Sequence, residues 1–161
     1  MNRTIESVLR FVNLTASGLL AGSLGFGDAA LVPGWHHELP HDKAEPIDQK
    51  TRTLYFNAIG PVALGSAVTL AIAGRGMNPV KRMLDAAAAI GLAGVLATTV
   101  MVTVPISQEL EAEAPRDYPH DRAQQMVKNW TRAHAVRTSL GIGAFVCAVA
   151  SNLTKSSRDS R

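Results

Sequence analysis

Apolar and polar positions separate into four long blocks along this chain, each close to the length of a membrane span. Leu14 to Val32 is almost uncharged, interrupted only by Asp28, and is rich in Gly, Ala and Ser. Joined to Thr4–Asn13, it predicts a helix over roughly 4–32, about thirty residues and enough to cross about 30 Å of hydrocarbon. Gly18 and Gly22 form a small-xxx-small pair with Gly25 one turn on, a stripe that lets a neighbouring helix approach closely. The second block, Leu54 to Ala73, has Asn57, Ser66 and Thr69 as polar members and predicts a helix over roughly 52–74. Pro61 inside it cannot donate to the Asn57 carbonyl, so a kink and a freed acceptor are expected there. The third block is Ala-rich and runs from Met83 to Val104 (helix roughly 79–105), with its one charge, Asp85, at the start where it can stay near an interface. It ends in Thr98, Thr99, Thr103 and Pro105, and the acidic, proline-bearing Glu109–Arg122 reads as a loop. The last block starts in the plausible N-cap region His120–Asp121 and continues to about residue 154.

Four apolar helices of about twenty residues or more, with no strand-like alternation, predict an all-α integral membrane four-helix bundle of up-down topology in one domain. Two other readings compete. A secretory signal peptide would explain Arg3, Arg10 and the first apolar stretch, but Glu6 and Asn13 interrupt it and the stretch outruns an h-region. A soluble Ala-rich bundle would need a charged face on the first three blocks, which they lack. Pro33 and Gly34 close the first block, and Trp35 follows as a possible interfacial anchor.

Charge then orients the bundle. The N-terminal segment, the turn at Gly74–Pro79 with its flank, and the tail carry eight Lys or Arg, whereas the other two loops carry five and are acidic besides. Basic residues mark cytoplasmic loops, so both termini are expected in the cytoplasm and the protein in the plasma membrane as a multi-pass chain. A formal net charge of +3 and no basic run with interleaved aromatics argue for no nucleic-acid partner; the expected partners are the lipid bilayer and a lipophilic small molecule. Cys147 is the single cysteine, which excludes an internal disulfide and a Cys-rich metal site. The composition, 47% hydrophobic but only 5% aromatic, leaves the pattern rather than the average to decide.

The stretch Trp130–Thr138 carries the candidate chemistry. Trp130, His134 and Arg137 are spaced i, i+4, i+7 and share one helix face just where the last block turns apolar. His134 lies about 6 Å and Arg137 about 10 Å beyond Trp130 along the axis. Ionisable residues at such depth point to function. With up-down topology, Asp28, Asn57, Thr99 and Thr103 fall in the same outer half, predicting a polar-lined cavity open to the outer loops. Asp28 is the acid expected to reach Arg137. Each residue also has a bland reading: Trp130 as a belt aromatic, His134 as interhelical hydrogen-bond glue, Arg137 with Asp28 as a structural ion pair, Asn57 with Pro61 as a simple kink. His36, His37, His41 and His120 are weak metal candidates, since their spacing matches no standard ligand set and a solvated loop explains them better.

The motif Trp130-x-x-x-His134-x-x-Arg137-Thr138, supported by Val104-Pro105-Ile106, Asn57, Pro33 and the four-helix layout, resembles the anthrone-oxygenase-like small membrane proteins, long grouped as a domain of unknown function. Ser107 stands where that family often has Asn. The resemblance implies oxidation of an anthrone or hydroquinone-like aromatic by molecular oxygen as co-substrate, with no flavin or haem cofactor. In that reading His134 is the general base, Arg137 stabilises the enolate oxygen and Trp130 stacks on the ring, while Asn57, Asp28, Thr103 and Thr99 bind substrate. Two other classes stay open: a non-catalytic membrane protein in which the trio is structural, and a metal-dependent membrane oxidase using His134 with outer-loop histidines.

Overall fold

A computed structural model describes residues 2–27, 49–73, 78–112 and 120–154. Its elements are α1 (Arg3–Phe26), α2 (Gln49–Ala73), α3 (Pro79–Thr98), a π-helical turn (Thr99–Thr103), α4 (Val104–Ala112) and α5 (His120–Leu153). Asn2 caps α1, its Oδ1 accepting from the Thr4 N–H at 3.2 Å. Asn78 caps α3 through the Val80 N–H at 2.9 Å, with Pro79 at the first turn, where no N–H is needed. Helix α1 packs on α2, α2 on α3 and α3 on α5, and α5 closes the ring on α1.

Among the described residues, four helices are long and apolar enough to cross a membrane: Arg3–Phe26, Leu54–Ala73, Pro79–Ile106 and Gln124–Leu153. The burial pattern is that of a protein dissolved in lipid. Large apolar side chains lie outside, Ile90 at 73% and Met101 at 77% exposure, whereas the centre is built from small ones such as Ala16, Ala63, Ala67, Ala89 and Ala144 around Leu20, Leu24 and Leu92. Lipid tails are as apolar as leucine, so close backbone packing and polar contacts replace the hydrophobic effect between helices. Helices α3 and α5 approach closely at Gly91, where a Cβ would lie 3.0 Å from the Ala144 Cβ and 3.1 Å from the Leu140 carbonyl oxygen. Among the described residues the Gly18–Gly25 stripe is used at its start: Gly18 meets Phe145, whereas a Cβ on Gly22 or Gly25 would meet none of them within 4 Å.

Two expectations are corrected. The third helix does not stop at Pro105, and Glu109 belongs to α4 rather than to a loop. The π turn explains how: the Val104 N–H reaches back five residues to the Thr99 carbonyl, which widens the helix just before the proline that cannot supply a hydrogen bond. Asp85, expected as a lone charge at the start of its helix, is instead buried and paired. It is 4% exposed and receives both terminal nitrogens of Arg10, Nη1 at 3.3 Å and Nη2 at 3.2 Å. Ser151 donates to the same carboxylate at 2.5 Å, and Glu6 takes the Arg10 Nε at 2.9 Å and lies 3.5 Å from Lys81 Nζ. One helical turn or so further along α1, Asn13 Nδ2 donates to the Ala63 carbonyl at 3.2 Å and to Ser66 Oγ at 3.1 Å. This layer binds α1, α2, α3 and α5 together at the end of the bundle that holds the N-terminus.

Candidate functional site

The opposite half of the bundle carries the second polar layer. Helix periodicity alone puts Trp130, His134 and Arg137 on one face of α5, and all three are buried, His134 at 4% exposure. The Trp130 indole and the His134 imidazole are stacked, centroids 4.9 Å apart and planes 10° from parallel. This contact fixes the ring plane of His134. Arg137 Nη2 lies 2.7 Å from His134 Nδ1. A guanidinium can only donate, so Nδ1 is the acceptor and the neutral imidazole carries its proton on Nε2. Arg137 Nη1 also donates to Thr99 Oγ1 at 3.4 Å, and that hydroxyl in turn donates to the Val95 carbonyl at 2.7 Å. Thr99 opens the π turn, so the irregularity that accommodates Pro105 also supplies the hydroxyl that meets Arg137.

Thr138, the last member of the motif, ties the face to α1 through its hydroxyl and the Leu24 carbonyl at 3.5 Å. At the end of α1, Gly27 leaves the room that His134 occupies: a Cβ there would fall 2.8 Å from His134 Nε2. Only glycine fits without moving the imidazole.

Arg137 borders a cleft of about 110 Å³ between α1, α2 and α3, whose walls include Leu24, Phe56, Asn57, Thr99 and Val104. The Arg137 Cζ stands 5.9 Å from the centre of the Phe56 ring, within range of a cation–π contact. His134 is not among the cleft-lining residues; it lies behind Arg137. Pockets that enclose a whole small molecule measure about 300 Å³ or more. This cleft is therefore too small to enclose a drug-sized molecule whole. A wider hollow of about 330 Å³ lies beside Ala71, Ile72, Arg82 and Ala86, with Arg82 as the one cation among the described residues that line it.

The structure thus brings together five of the residues expected at the site. Trp130, His134, Arg137 and Thr99 are linked by direct contacts, and Asn57 lines the same cleft although its side chain is exposed on the bundle surface. Thr103 is buried, with its hydroxyl turned to the Thr98 carbonyl at 3.5 Å, and does not line the cleft. Asp28, His36, His37 and His41 lie outside the described residues, as does Pro33, and the side chain of His120 is likewise outside them. Among the described residues no three His, Cys, Asp or Glu side chains converge in a way that could hold a metal ion. Phe56 and Gly27 were missed. Phe56 had a signal in its position beside Asn57 on an apolar helix; Gly27 had none, because its role is set by a side chain on another helix.

Neither the curated proteins nor the solved structures contain a match to this chain. The sequence model of the anthrone oxygenase family, by contrast, matches residues 52–147, a span that holds Asn57, the π turn with Pro105 and the whole Trp130–Thr138 motif. The chain belongs to the anthrone oxygenase family.

Proposed function

We propose that this protein oxidises a flat, lipophilic anthrone- or hydroquinone-like ring with molecular oxygen, at the cleft bordered by Arg137. The observation that carries this reading is that Arg137 both lines the cleft and is hydrogen-bonded to His134. An anthrone partitions into lipid and has a methylene made acidic by its conjugated carbonyl. His134 takes one methylene proton as general base, and the electron pair moves onto the carbonyl oxygen. Arg137 holds that oxyanion, in a water-poor site where the contact is strengthened. The carbanion form then adds oxygen at the former methylene carbon. The peroxide anion takes the proton back from His134 and the hydroperoxide so formed loses water, so one anthrone and one oxygen molecule leave as one anthraquinone and one water. Trp130, already stacked on the imidazole, orients His134. Asn57 at the cleft and Phe56 beside the guanidinium contact the ring edge; Asp28, from its place in the sequence, completes the proposed polar set, from which the buried Thr103 drops out.

The reading extends to placement. The excess of basic residues near the termini and the turn at Gly74–Pro79 supports cytoplasmic termini and an oxidation site in the outer leaflet of the plasma membrane. The burial of His134 behind Arg137 favours one alternative, a non-catalytic membrane protein in which the trio only joins helices. Oxygen uptake by membranes containing the protein, given a panel of anthrones and hydroquinones, separates the two. Uptake above that of empty membranes, with quinone formed one for one, supports the oxidase. Uptake that never exceeds the empty-membrane rate sinks it.

A further inference from the structure

We infer that Arg137 is a substrate-operated gate on His134: the guanidinium caps Nδ1 in the resting protein and uncaps it when a carbonyl oxygen in the cleft takes its place. The inference rests on the proposed oxidation and specifies how its base is switched on. A lone pair accepting a hydrogen bond at 2.7 Å from a permanent cation cannot also take a proton from carbon. The only other ring nitrogen, Nε2, carries the proton that this bond dictates. As it stands, therefore, the imidazole is masked.

The geometry shows what unmasks it. Arg137 lines the cleft and His134 does not, so an incoming ring meets the guanidinium first. Nη1 is held by Thr99 at 3.4 Å and the Cζ lies beside Phe56, both on the cleft side, whereas Nη2 alone reaches back to Nδ1. Nη2 can exchange Nδ1 for a carbonyl oxygen while the cleft-side contacts stay. That single exchange does two things. It frees the Nδ1 lone pair, and it places the cation on the oxygen where charge grows as the C–H bond breaks. The proton passes from carbon to Nδ1, giving an imidazolium, and the electron pair ends on the oxygen facing Arg137. An apolar ring without a carbonyl leaves the cap in place.

The test reads the imidazole directly. The chain has five histidines, so replacing His36, His37, His41 and His120 by Gln leaves His134 as the one ring to observe by nitrogen-15 NMR in lipid nanodiscs. The resting spectrum is expected to show a protonated Nε2 and an Nδ1 resonance displaced upfield, as for a hydrogen-bonded acceptor. Anthraquinone, a carbonyl-bearing ring with no methylene to react, should move Nδ1 downfield toward the free acceptor position. Arg137→Gln should show the downfield position without ligand and no further movement with it. A proton on Nδ1 in the resting protein, or an Nδ1 signal unmoved at saturating anthraquinone, overturns the gate. The two ideas fail separately: oxidation of anthrones with Nδ1 unmoved removes the gate and keeps the reaction, whereas a responsive Nδ1 without oxygen uptake keeps the gate and removes the reaction.

Discussion

Two buried arginines, each 7% exposed, stand at opposite ends of this bundle and have different chemical neighbours. Arg10 gives its three nitrogens to Asp85, Glu6 and Ser151, so its charge is matched by carboxylates and its donors are used within the layer. Arg137 bonds to a neutral imidazole and a threonine hydroxyl and borders a cleft. A carboxylate partner offsets the charge of a guanidinium, whereas adjoining space lets an incoming oxygen reach it. Equal burial therefore says little about role. The cleft beside Arg137, absent from the contacts of Arg10, separates a candidate site from a helix clamp among the described residues.

Five variants would test that contrast. The largest effect is expected from His134→Gln, which should lower anthrone turnover by about 10²–10⁴-fold, the usual contribution of a general base, with little change in the unfolding midpoint in detergent. Equal turnover at equal protein would take His134 out of the chemistry. Asp85→Ala should do the reverse. Stranding Arg10 costs about 3–5 kcal/mol, with the lower end favoured because Glu6 stays in contact, while turnover per folded molecule holds. Pairing Arg10→Met with Asp85→Leu should restore most of that stability, since an apolar pair of similar volume needs no desolvation; a double variant as unstable as Asp85→Ala would give the layer more than a clamping role.

Smaller effects probe the fine placement of the site. Gly27→Ala puts a methyl group where His134 Nε2 now lies, and the displaced imidazole should lose about 10- to 100-fold in turnover, as misplacements near 1 Å do. Retention of full rate would show that the ring's position is not critical. Thr99→Val keeps the shape of the π turn but removes one acceptor from Arg137. A loss of about 1 kcal/mol is expected, or about fivefold in kcat/KM, and it should appear for carbonyl-bearing rings. An equal loss for hydroquinones would detach Thr99 from carbonyl recognition.

How much of this was legible follows from the range of each interaction. The stack of Trp130 on His134 and the bond from Arg137 to His134 join residues four and three positions apart on one helix, so the motif determines them as soon as it is helical. The spans could be placed in the same way, from runs of apolar residues and the length needed to cross a bilayer. Even the family was readable from the spacing in α5 together with the proline after α3, and the match over residues 52–147 bears it out.

What the local pattern could not supply was the rotation and height of each helix. In water, an amphipathic stripe tells the inside of a helix from its outside. Here lipid and core are both apolar, so that signal nearly vanishes, and small residues such as Gly22 and Gly91 look alike although, among the described residues, one meets no neighbour and the other packs against Ala144. For the same reason Asp85 could be given a helix and a depth but not its partner Arg10, which lies 75 positions away. Apolar runs and helical spacing were enough for four spans and a Trp–His–Arg face on the last of them. That Arg137 stands between His134 and the cleft, that Gly27 makes room for the imidazole, and that Arg10 finds Asp85 emerged in three dimensions, because those contacts depend on how neighbouring helices are turned about axes that the apolar pattern leaves free.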